Sequence, residues 1–273
     1  MEIIINPEIE RLQGEVKNLK AKLLVLIDEH DELVYHTCPN IAAKYAQLLG
    51  NLELEAFELE NNIRRIKRKI ELVREKLSKN EPLILMEIEQ QLDEEFQEFA
   101  NALLTAQREN QEALARLEGE KLSASDSREL KETYRRIAKQ LHPDLNENLT
   151  AEQRELFFRA AQAYKTGDIT LMRMIDAASR TVEVKSVEDE NGIEKLKKQI
   201  ENLRRNIVSV TEIICGIKNE FPFNMLDVIN DKEQVRVRRE KLNGVIKDYR
   251  AVYKEYKEEY LGFFPDEEQD GLL

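Results

Sequence analysis

Few residues in this chain can do chemistry at a fixed place, and the best placed are His142, Pro143 and Asp144 in the stretch "YRRIAKQLHPDLNENL". An imidazole and a carboxylate stand two residues apart with a rigid proline between them, in a loop that can present polar groups to a single site. Just upstream stand Lys131, Arg135, Arg136 and Lys139, a cationic set that can steer an acidic partner surface toward the loop. The plainer reading is a helix that merely ends in His-Pro, with Asp144 capping the turn and the cations forming a solvated face. No enzyme constellation competes: there is no glycine-rich phosphate loop, no HExxH and no placeable Ser-His-Asp set. His30, His36 and Cys38 span an expected helix end without a completing carboxylate set, so no metal site is expected, and no cofactor. His30 reads instead as a polar seam residue that fixes register.

The elements that position the tripeptide are short. Leu130, Tyr134, Ile137, Ala138 and Leu141 fall on one face of a helix, leaving most of the cations on the others. Pro143 ends that helix and drives His142 out of helical geometry, so the tripeptide lies in the following loop. Thr150 with Gln153 makes a capping box for a second helix carrying Leu156, Phe157, Ala160, Ala161 and Tyr164, which stops at Gly167. Asp168 can cap a third, with Ile169, Leu171, Met172 and Ile175.

"ELKETYRRIAKQLHPDLN" resembles the second helix and HPD loop of the J-domain of DnaJ-type co-chaperones, and "EQRELFFRAAQAYKTGDI" resembles the third helix. The tripeptide alone is weak evidence; the combination with a basic amphipathic helix and a capped F…A…AY helix is specific. The resemblance implies that His142, Pro143 and Asp144 engage an ATP-bound DnaK-type chaperone and trigger its hydrolysis. It implies that Lys131, Arg135, Arg136 and Lys139 form the basic docking surface, and that Tyr134, Leu141, Phe157 and Tyr164 are core. The protein would then have no enzyme activity of its own. The resemblance covers only about 50 residues. The family's aromatic first helix is missing before "LSASDSREL": either the end of the preceding helix, around Leu114 and Leu117, replaces it, or the module is incomplete and inactive. The Gly/Phe-rich linker and the CxxCxGxG repeats of full-length DnaJ are absent.

Most of the chain is something else. Of 273 residues 41% are hydrophobic and 35% charged, with 9 Gly, 6 Pro and no Trp, a profile of long solvated helices. An all-α fold is expected: two long antiparallel coiled-coil hairpins flanking the small J-domain-like module. The first, 1–80, has a three-four seam through Leu12, Val16, Leu19, Leu23, Leu26, His30 and Leu33. It turns at "HTCPN" and resumes at Ile41, Tyr45, Leu48 and Leu52, then slips by one residue and continues through Ala56, Leu59, Ile63, Ile66, Ile70, Val73 and Leu77. In 81–120 a long connecting helix follows "SKNEPL", with Asn80 as N-cap and Pro82 in its first turn. The module occupies 121–180 and a polar linker 181–192. A second hairpin, 193–262, has its break at "KNEFPFN" and its returning helix marked by Tyr249, Tyr253, Tyr256 and Tyr260; an acidic tail, 263–273, ends the chain.

The net charge of −12 argues against nucleic-acid binding, and the basic run "RRIKRK", 64–69, is interrupted by isoleucines at core spacing. No apolar run approaches the ~18 residues of a membrane span. Cys38 and Cys215, without a CxxC, fit a reducing cytoplasm. The expected partner is a DnaK-type chaperone, with a client engaged by the coiled coils, which also allow a homo-oligomer. The competing reading is a structural or adaptor coiled-coil protein whose J-like module is degenerate and inactive.

Overall fold

The sequence predicts a turn at "HTCPN", yet the backbone there stays helical. A computed structural model of the chain describes residues 7–119, 122–146, 148–179 and 192–264, all-α with no strand among them. Helix α1 (Pro7–Glu32) passes through a π-helical turn (Leu33–Thr37) into α2 (Cys38–Tyr45), which contains Pro39. Proline in a helix removes a donor and crowds the carbonyl of residue i−4. The wider turn accommodates it: Cys38 N–H donates to Leu33 O, five residues back, and the backbone stays helical through Pro39. A second π turn (Ala46–Gly50) leads into α3 (Asn51–Ser78).

The chain divides into two compact units, Met1–Pro39 with Glu120–Asn224, and Asn40–Gly119 with Met225–Leu273. In the first, α1 packs along α9 (Gly192–Asn219). The ion pairs Arg204–Glu15 and Lys218–Glu29 are both 189 positions apart, and Lys197–Glu8 follows the same offset. A constant difference means that the two helices run parallel and in step. Leu12, Val16, Leu23 and Ile27 meet Ile200, Leu203 and Ile207 in the seam. The seam foreseen in α1 is therefore present, but it is filled by a parallel helix from the far end of the sequence and not by an antiparallel neighbour.

The second unit repeats the parallel pairing with α3 and α11 (Lys232–Leu261). Lys44 donates to Asn230, Arg239 to the Leu48 carbonyl, and Arg74 pairs with Glu259, the two numbers rising together. Helix α11 follows a short 3₁₀ turn (Phe223–Met225) and α10 (Leu226–Asn230), and is capped by Asp231, whose carboxylate accepts from the N–H groups of Glu233 and Gln234. Tyr253, Tyr256 and Tyr260 pack with Ile66, Ile70 and Val73.

The expected connecting helix is two helices, α4 (Leu85–Glu95) and α5 (Gln97–Glu118), bent at Phe96 (φ −104°, ψ 8°). The bend is local, because Phe96 N–H still bonds Leu92 O and its own carbonyl accepts from Ala100. Asn80 ends α3 and does not cap α4. Its φ is +52°, and the bonds Asn80 N–H to Leu77 O and Glu81 N–H to Lys76 O complete a left-handed helix stop. The run 64–69 is neutralised within the unit. Arg65 binds Glu89 and Asp93, Arg68 binds Glu95 and Glu71, Lys69 binds Glu89, and Lys67 lies over the Tyr256 ring.

The module comprises α6 (Ala124–Leu141), α7 (Ala151–Thr166) and α8 (Ile169–Ser179) in the first unit. Their core is Leu130, Tyr134, Ile137, Leu141, Phe157, Ala160, Tyr164 and Met172. The linker at 181–192 lies outside the described residues except for Gly192, as does the tail beyond Phe264. Among the described residues no helix is long and apolar enough to cross a membrane, and no cluster of His, Cys, Asp or Glu can hold a metal ion.

Candidate functional site

Helix α6 starts on Ser123, whose Oγ accepts from Asp126 N–H, and buries one face through residues spaced three and four apart. It ends where Pro143 requires. His142 is extended (φ −69°, ψ 129°), while its N–H still reaches Ala138 O. The loop then closes on itself: the N–H groups of Leu145 and Asn146 both donate to His142 O. The Asn146 amide caps the open end of α6 by donating to Gln140 O at 2.8 Å and Lys139 O at 3.3 Å, which satisfies carbonyls that a helix end leaves unpaired. Beyond it, Thr150 and Gln153 form the foreseen capping box of α7. Gly167 (φ +75°) stops that helix, and Asp168 caps α8 through Leu171 N–H.

The tripeptide is held from two sides. The His142 ring lies edge-on to Phe157, centroids 4.8 Å apart. Leu145, only 3% exposed, inserts into the α1/α9 seam. Between these anchors Pro143 is half-buried and Asp144 is exposed. Asp144 N–H donates to His142 Nδ1 at 3.1 Å, so the neutral ring carries its proton on Nε2. Burial holds the His142 pKa below its usual value, with the charges of Asp144 and Asp31 opposing.

The cations are placed unequally. Lys131 Nζ is 2.7 Å from Glu32, Arg135 is 3.9 Å from Asp28, and Arg136 is 2.6 Å from Asp176 of α8. Lys139 is exposed on the last turn, next to the loop. The structure thus brings Lys139 together with the tripeptide and gives the other three carboxylate partners from the same unit.

Sequence reasoning missed what covers the module. Among the described residues no helix with the family's aromatic pair leads into α6; Leu114 and Leu117 belong to α5. Instead α1 and its π turn pack on α6 and α7 through Leu24 and Tyr35. Asp31, 6% exposed, accepts a 2.6 Å bond from Tyr134 Oη and faces His30 Nδ1 at 2.9 Å. Glu32 accepts from Tyr164 Oη as well as from Lys131. Burial and the Asp31 charge push the Tyr134 hydroxyl far above its usual range, and burial with Glu32 does the same to Tyr164. Burial would raise Glu32, but its hydrogen bonds from Lys131 and Tyr164 prevail and hold it below the usual carboxylate range. The Tyr134 and Tyr164 rings stack 4.3 Å apart and Phe157 lies next to Tyr134, so a ladder of rings links the α1 carboxylates to His142. One signal was available: Leu24, Asp28, Asp31 and Tyr35 keep three-four spacing, a second stripe on α1 with polar residues in its middle.

The chain matches no protein-family model, no curated protein and no solved structure.

Proposed function

We propose that the protein is a J-domain-like co-chaperone, which binds a DnaK-type chaperone through His142, Pro143, Asp144 and the basic face of α6 and stimulates its ATP hydrolysis. The bond broken is the partner's, and this chain acts by docking. The observation that carries the reading is the loop: a rigid turn, anchored by His142 on Phe157 and Leu145 in the seam, leaves Asp144 exposed, and Lys139 is exposed on the last turn of the helix before it. A loop ordered before binding loses little entropy on docking. Helix α1 supplies the packing that the family's first helix gives. The coiled coils serve client or assembly contacts, and the protein works in the cytoplasm.

The test is single-turnover ATP hydrolysis by purified DnaK with the full chain and with His142→Gln. Stimulation by the wild type and its loss in the variant is the expected result; equal stimulation by both, or none by either, overturns the reading. The adaptor reading is favoured by one observation, the carboxylate partners on Lys131, Arg135 and Arg136, and it predicts no stimulation by either protein.

A further inference from the structure

We infer that α1 carries an acidic latch, Asp28 and Glu32, that occupies part of the docking face of α6 and must be displaced when a partner binds; this rests on the co-chaperone reading. Asp28, Asp31 and Glu32 lie within little more than one helical turn, yet they do different work. Asp31 is buried and bonded to Tyr134 and His30, so it fastens α1 to the module. Glu32 and Asp28 lie at the margin of that contact, where their carboxylates reach Lys131 at 2.7 Å and Arg135 at 3.9 Å. All four of these side chains keep contact with solvent, so Lys131 and Arg135 can swing away from them while Glu32 keeps its bond from Tyr164.

An acidic partner surface docking on α6 needs the same two cations. Each carboxylate of α1 is thus a local competitor for it, present at high effective concentration because α1 is packed on the module. The opposite margin of α6 is unlike this one. Arg136 binds Asp176, which is buried on α8 inside the module, so that pair belongs to the module's own construction. Lys139 and Asp144 stay open to solvent. A partner therefore meets Lys139 and the loop first, and Lys131 and Arg135 become available only as Glu32 and Asp28 let go.

The experiment compares four full-length proteins, the wild type, D28N/E32Q, H142Q and the triple variant, in DnaK ATP hydrolysis across a concentration series. Both latch substitutions keep side-chain shape, and the amide introduced by Glu32→Gln keeps an oxygen for Tyr164. The expected result is half-maximal stimulation by D28N/E32Q at about a threefold to tenfold lower concentration than wild type, with H142Q and the triple variant inactive. If D28N/E32Q superimposes on the wild type while H142Q is inactive, the latch is overturned and the co-chaperone reading stands. If no protein stimulates DnaK, or H142Q stimulates like the wild type, both fall. Acylation of Lys131 by a small activated ester, which transfers its acyl group to Nζ and releases its alcohol, read by mass spectrometry on the chain alone, gives a second measure: faster modification in D28N/E32Q supports the latch, and an unchanged rate overturns it.

Discussion

Two stretches of this chain, 64–69 on α3 and 131–139 on α6, look alike as strings of Lys and Arg, and they end in opposite circumstances. On α3 the run is answered from three sides: Arg65 binds Glu89 and Asp93 of α4, Arg68 binds Glu95 of α4 and Glu71 of its own helix, and Lys67 and Lys69 lie over tyrosine rings of α11. On α6 each paired cation has one carboxylate partner, Lys139 faces solvent, and the helix runs into a loop pinned at both ends. Positive charge alone separates neither case. What distinguishes them is how completely neighbouring helices answer it, and whether a rigid element stands next to what is left over.

The contrast can be broken at several points. Leu145→Ala should have the largest effect, since it empties a buried position in the α1/α9 seam, and a loss of about 3 kcal/mol is expected in urea unfolding. An unchanged midpoint would mean that the loop is not anchored and resembles the α3 surface after all. Tyr134→Phe leaves the buried Asp31 carboxylate without its hydroxyl donor, for about 2 kcal/mol; hydrogen exchange should show the loss in α6 and α1 and not in α3. A smaller effect concerns pH. Because burial lowers the pKa of His142 from 6.5, the unfolded chain takes up its proton first, so stability should fall as pH drops below about 6.5. His142→Gln removes that component, and a difference between the two stability profiles that is flat from about pH 7.5 to about pH 5.5 would refute it. The smallest change is expected from Arg65→Gln, under about 1 kcal/mol and reduced further by salt, because its pairs are solvent-exposed in part.

Signals that act within a few residues were legible. The all-α class, the stop at Pro143, the capping box at Thr150 and Gln153, the Asp168 cap and the buried face of α6 each follow from neighbours in sequence. Partner choice did not follow. An apolar seam states that a helix has a partner, and seams as similar as those of α1, α3, α9 and α11 do not state which one. Pro39 misled for a related reason: it forbids an ordinary helical bond, and a π turn supplies another way to continue. The cover on the candidate site was hidden because Asp28 and Asp31 occupy a packing stripe, where the eye looks for apolar residues.

The second π turn, Ala46–Gly50, has a consequence for how this helix tolerates change in length. The seam of α3 slips by one residue near this turn, and one residue corresponds to about 100° of rotation; the wide turn absorbs that rotation locally, so the stripe beyond it still meets α11. The same turn is where neighbouring helices hold on. Arg239 of α11 takes the Leu48 carbonyl, and Asn110 of α5 sits over Gly50 in the space a Cβ would fill while bonding Asn51. Removing the extra residue would make the heptad more regular on paper. It would also move the Leu48 carbonyl and Gly50 away from the Arg239 and Asn110 side chains that hold them, and so loosen two other helices of the unit.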